Sequence, residues 1–109
     1  MRILFDNGTP NPIARILAGH EVDFARQIGW HELKNGELLR RAEEAGYELL
    51  LTSDKNILYQ QNLAGRKIAI EVLGNQQWPD VRIHLDRIAA AVNAATPGSY
   101  TEVEIPYKD

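Results

Sequence analysis

Residues 47–54, YELLLTSD, carry three consecutive leucines straight into a threonine, a serine and an aspartate, with no glycine or proline between. A run as apolar as YELLL (47–51) reads as a strand covered on both faces, because strands packed on each side are near-continuously apolar, as in parallel sheets. The polar exit TSD then falls at the carboxyl end of a central strand. Open α/β sheets hold their ligands beyond those ends, where the strand order reverses.

The flanking sequence supports such a sheet. On the amino side, Asn35 is a good N-cap for a helix bearing Leu38, Leu39, Ala42 and Ala45 on one face and ended by Gly46. Before it, RILF (2–5) reads as a strand that ends in the polar turn Asp6, Asn7, Gly8 and Thr9. Thr9 can cap a helix that starts at Pro10, carries Ile13, Ile16 and Leu17 at helical spacing, and stops at Gly19. EVDFA (21–25) is a second, half-polar strand, followed by a loop with Gly29, Trp30 and His31. On the carboxyl side, a short helix over about 55–63 leads through Gly65 to the strand KIAIEVL (67–73). Val81, Leu85, Ile88, Val92 and Ala95 then recur at the spacing of one amphipathic helix, which Pro97 and Gly98 end. YTEVEI (100–105) alternates polar and apolar residues as an edge strand does. Strands alternating with helices predict an α/β domain spanning 1–109, with a mostly parallel central sheet and helices on both faces.

The chain has 109 residues, of which 44% are hydrophobic and 25% charged, and no apolar run nears the ~20 residues of a membrane-spanning helix. The start, MRILFDN, has neither the apolar stretch nor the cleavage site of a secretory signal, so the expected location is the cytoplasm. With no cysteine, disulfides, thiolate catalysis and cysteine-ligated zinc or iron–sulfur centres are excluded. A net charge of −3 argues against binding nucleic acid by bulk electrostatics, so a nucleic-acid substrate would need local basic patches or bound cations.

Asp6 leaves the first strand and Asp54 the third, and Glu37 lies in the first turn of the helix capped by Asn35. If the two strands are neighbours, all three carboxylates fall on one edge. Unpaired, they would repel and raise one another's pKa. A divalent cation removes that penalty, and Mg²⁺ or Mn²⁺ prefers oxygen ligands, keeps waters and neutralises phosphodiester charge. Asn7, Thr9, Thr52 and Ser53 supply an amide and hydroxyls to orient the acids or a water. Each acid also has a purely structural reading: Asp6 as a turn residue, Glu37 as a complement to the helix dipole, Asp54 as an N-cap. Lys34, Arg40, Arg41, Lys55, Arg66 and Lys67 can form a phosphate-facing rim, although Arg40 and Arg41 can instead pair with Glu44 and Glu37 along the helix. Tyr59, Gln60, Gln61 and Asn62 can contact bases or simply solvate a helix end. His20, His31 and His84 are too far apart for a local metal motif. Neither a glycine-rich phosphate loop nor a nucleophile elbow is present.

RILFDNGTP, NGELLRRAEEAGYELLLTSDKN and YQQNLAGRKIAIEVL together resemble small bacterial PIN-like proteins, over roughly residues 1–95. The resemblance implies a three-layer α/β/α sandwich whose clustered acids bind Mg²⁺ or Mn²⁺ and cut RNA, in many relatives as a toxin neutralised by an antitoxin. It matches Asp6 to the acid after the first strand, Asp54 to the acid of the T-x-D motif, and Glu37 to the helix acid, so these three are the expected catalytic and metal-binding residues. Thr52, Ser53, Asn7 and Thr9 would support them, and Lys34, Lys55 and Arg66 would meet RNA. The expected partners are RNA, an antitoxin protein or a second copy of the chain. Two positions depart from the pattern: Asn7 and Asn56 stand where small relatives often carry acids. Asn56 becomes a neutral ligand or donor, and a two-metal arrangement loses support. Two other readings stand beside the nuclease: a non-catalytic PIN-like module that docks a partner, and a phosphoacceptor receiver domain, which lacks its paired acids and lysine here.

Overall fold

The computed structural model describes residues 1–57 and 65–108. Its strands are β1 (Arg2–Phe5), β2 (Glu21–Phe24), β3 (Leu49–Thr52), β4 (Ala69–Leu73) and β5 (Tyr100–Val103). All pair in parallel, in the order β2-β1-β3-β4-β5. The helices are α1 (Asn35–Glu44), α2 (Trp78–Val81) and α3 (Leu85–Ala94), and a 3₁₀ helix runs over Asn11–Ile16. The fold is α/β, with β3 at the centre of the sheet and buried along its length.

Side chains alternate between two apolar clusters, as successive residues of a strand must. Ile3 and Phe5, Leu49 and Leu51, and Ala69 and Leu73 pack with Ile13, Leu17, Val81, Ile88 and Val92. Leu4, Leu50, Ile70 and Val72 pack with Leu38, Leu39 and Ala42 of α1 and with Ile57. Leu50 is fully buried, and cutting such a side chain back to alanine costs about 2–5 kcal/mol. Among the described residues, no helix is long and apolar enough to cross a membrane.

Several local expectations need correction. Thr9 caps no helix, because its hydroxyl donates to the Leu51 carbonyl at 2.9 Å, and Pro10 precedes the 3₁₀ helix without any side-chain cap. Asn35 is the first helical residue and Lys34 the cap position, and the Asn35 amide reaches the Asp54 carboxylate just past β3 instead. The single helix expected over 81–95 is two pieces. His84 breaks it with φ −125° and ψ 26°, and a buried 2.8 Å bond from Asn75 Nδ2 to Asp80 Oδ2 ties α2 back to the end of β4. Val81, Ile88 and Val92 still reach one cluster, which is why the apolar spacing runs on through the break. β3 and β4 each begin two residues later than the apolar runs suggest, and β5 ends at Val103. The helix expected over 55–63, and with it Tyr59, Gln60, Gln61 and Asn62, lies outside the described residues beyond Ile57.

Candidate functional site at the carboxyl edge

The strand order reverses between β1 and β3: from β1 the chain steps outward to β2, then crosses back to β3 on the other side. Such a switch point leaves a crevice between diverging connections, and here it lies where Asp6 and Asp54 emerge. The β1–β3 ladder continues one step past the strands, with Asp6 N–H donating to the Leu51 carbonyl at 3.0 Å.

Thr52 joins the two acids. Its hydroxyl donates to Asp6 Oδ2 at 2.8 Å and accepts from the Asp54 N–H at 3.1 Å, and the residue is fully buried. The second Asp6 oxygen accepts from Asn7 N–H at 2.7 Å. Asp54 accepts from Asn56 N–H at 2.9 Å and from Asn35 Nδ2 at 2.5 Å. Asp54 therefore does cap the turn that follows it, while its other oxygen faces the start of α1. Among the described residues each carboxylate oxygen has one protein donor and keeps further acceptor capacity, since an ionised carboxylate offers about four lone-pair sites.

The surrounding polar residues hold this edge in place. Asn7 Nδ2 donates to the His31 carbonyl at 2.6 Å, and Ser53 Oγ donates to Gln76 Oε1 at 2.8 Å. A Cβ on Gly8 would stand 2.7 Å from both Ser53 Oγ and Gln76 Oε1, so a larger residue there would push the Ser53–Gln76 pair aside. Beside Asp6, a cleft of about 100 Å³ is lined by Asn7, Asn11, Phe24, Arg26 and Gln27 among others.

Other expected site residues are placed differently. Glu37 is half exposed and paired with its own helix, 3.6 Å from Arg41 and 3.8 Å from Arg40. Among the described residues, no three acidic, histidine or cysteine side chains converge as a metal group. Lys34 and Lys55 are exposed and adjoin Asn35 and Asp54. Arg66 precedes β4 and so lies at the opposite, amino edge of the parallel sheet, 3.8 Å from Glu43; it does not belong to this rim. His20 bonds the amino terminus at 3.0 Å and Asn93 at 2.9 Å, a structural role.

The donor set suits a hard cation held mainly by water. Mg²⁺ is commonly bound through one or two carboxylates plus substrate phosphates, and Asp6 and Asp54 are the two carboxylates this edge offers for such a role. The Asn35 amide adds a neutral donor on Asp54.

Reading the sequence overlooked three residues here. Asn35 looked like a cap, and only the fold shows its amide on Asp54. Gln76 has no signal at all. Glu71 did have one, as a lone carboxylate inside the apolar strand KIAIEVL: it is fully buried, and among the described residues neither side-chain oxygen has a hydrogen-bond partner. Burial pushes its pKa up from 4.5 to about 7. No family model, curated protein or solved structure matches the chain.

Proposed function

We propose that the protein is a metal-dependent endoribonuclease of the PIN type that its sequence resembles. The observation that carries this reading is the pair Asp6 and Asp54 at the ends of adjacent parallel strands, joined through the Thr52 hydroxyl at a switch point of the sheet. In this reading Asp6 and Asp54 hold Mg²⁺ or Mn²⁺, which when bound neutralises phosphate charge and lowers the pKa of a coordinated water. Thr52 fixes the Asp6 carboxylate, Asn35 fixes that of Asp54, and Lys34 and Lys55 meet the flanking phosphates. Glu37 stays with its arginines and stabilises α1.

Purified protein should cleave single-stranded RNA with Mg²⁺ or Mn²⁺, and Asp6→Asn or Asp54→Asn should each abolish cleavage. Cleavage indifferent to both substitutions would sink the assignment. A toxin role further requires a co-encoded antitoxin, tested by whether the product of the neighbouring reading frame copurifies and silences cleavage.

A second reading, a non-catalytic PIN-like module that docks a partner, is favoured by the engagement of Glu37 with Arg40 and Arg41, which leaves two acids at the edge. Calorimetry separates the two: Mn²⁺ binding that disappears in Asp54→Asn supports the nuclease, and no Mn²⁺ binding supports the module.

A further inference from the structure

A cavity of about 460 Å³ opens at the same carboxyl edge, lined by Lys55, Gly74, Glu102, Val103, Glu104 and Ile105. Lys55 follows Asp54 directly, so the cavity is the next space beyond the acid pair on the β4–β5 side. Part of its wall is backbone, where Gly74 N–H donates to the Val103 carbonyl at 2.9 Å. A Cβ at position 74 would stand 3.2 Å from that carbonyl, so glycine keeps β5 close. Past Ile105 the chain brings Tyr107 alongside, with the Lys55 ammonium 5.9 Å from its ring centroid. Tyr107 is 62% exposed, which leaves its ring open to a stacking partner.

The charges select among occupants. Glu102 and Glu104 are exposed and take part in no side-chain hydrogen bond or ion pair among the described residues. Two free carboxylates repel a phosphate but accept hydrogen bonds from the exocyclic amino group of a base, as acidic side chains do with the cytosine amino group. Uracil would bring carbonyl oxygens against them instead. Stacking on an aromatic ring contributes about 5- to 150-fold in affinity per base, against about 2- to 5-fold for a lysine over an exposed ring. A base therefore displaces Lys55 from Tyr107 and frees its ammonium for a neighbouring phosphate.

We infer that this cavity and Tyr107 form a subsite for one unpaired, amino-bearing base of the RNA, with the base stacked on Tyr107 and its amino group on Glu102 or Glu104. The inference rests on the nuclease reading and extends it from backbone cleavage to base preference. Binding of end-labelled octacytidylate and octauridylate, followed by fluorescence anisotropy at low salt with a chelator present, tests it without cleavage. Octacytidylate should bind about 10-fold more tightly than octauridylate, the scale of a side-chain hydrogen bond that reads one base. Tyr107→Ala should lose most of that advantage, Tyr107→Phe should keep it, and Glu102→Ala combined with Glu104→Ala should make the two RNAs equivalent. Equal affinities in the parent protein, or an octacytidylate affinity unchanged in Tyr107→Ala, would overturn the subsite. Cleavage with Mn²⁺ is scored separately. Protein that cuts RNA but ignores Tyr107 keeps the nuclease and loses the subsite; protein that binds octacytidylate through Tyr107 but cuts nothing keeps the subsite and loses the nuclease.

Discussion

The Thr52 hydroxyl donates to Asp6 Oδ2 at 2.8 Å across the β1–β3 ladder, so the acid of one strand is oriented by the strand next to it. Thr52 Oγ1 in turn accepts the Asp54 N–H, which makes Thr52 the hinge of both acids. Thr52→Val keeps the shape but strands a carboxylate oxygen and a backbone N–H. We expect a loss of about 1–3 kcal/mol in chemical denaturation and a fall of about 10- to 100-fold in cation affinity or cleavage. Thr52→Ser restores the hydroxyl and should restore most of both. A valine variant with parental cleavage would show that Thr52 does not position the acids.

Glu37 provides the contrast. Its carboxylate is half exposed and shared between Arg40 and Arg41, and exposed ion pairs of this kind contribute about 0.2–1 kcal/mol. Glu37→Gln should therefore lower stability by less than about 1 kcal/mol and leave Mn²⁺ affinity close to that of the parent, while Asp54→Asn removes binding. Loss of Mn²⁺ binding in Glu37→Gln would instead make Glu37 a third ligand.

The two asparagines that flank the acid pair, Asn7 and Asn56, should respond differently to replacement by Asp. Asn7 donates to the His31 carbonyl at 2.6 Å, so Asn7→Asp sets a carboxylate against a carbonyl oxygen and should cost about 1–3 kcal/mol. Among the described residues, Asn56 bonds Asp54 through its backbone N–H and is exposed, leaving room for a new carboxylate. Asn56→Asp should tighten Mn²⁺ binding, measured by calorimetry, with little change in thermal stability. Equal stabilities for the two variants would remove the basis for this distinction.

The fold was legible where residues carried both period and punctuation. YELLLTSD announced a doubly covered strand with a polar exit, and β3 is buried on both faces as that pattern requires. The neighbourhood of Asp6 and Asp54 followed from topology, since alternating strands and helices bring carboxyl ends to one edge. Side-chain destinations were not legible in the same way. Thr9 and Asn35 have the chemistry of caps, yet both reach β3 or the turn beyond it, because a buried Leu51 carbonyl and the Asp54 carboxylate need donors that only the folded chain brings near. The break at His84 left no mark either, since the apolar spacing survives it. Glu37 was placed on the correct helix, but local pairing with arginines three and four residues on holds it there.

Glu71 gives the fold a pH dependence of its own. It lies on β4 between Leu51 and Thr101 of the neighbouring strands, fully buried and with no hydrogen-bond partner for its carboxyl among the described residues. Desolvation by burial raises its pKa from 4.5 to about 7. A carboxyl whose folded pKa lies above its unfolded one contributes stability that is complete below pH 4.5 and is lost as pH rises through about 7. The shift corresponds to about 3 kcal/mol across that window. Urea denaturation at pH 5 and pH 8 should show the parent markedly weaker at pH 8, and Glu71→Gln should flatten most of the difference. Glu71→Leu should exceed the parent at pH 8, because an apolar side chain there leaves no buried charge. Equal pH profiles for the parent and Glu71→Gln would mean that the buried carboxyl finds a proton donor or water that keeps it ionised in the folded state.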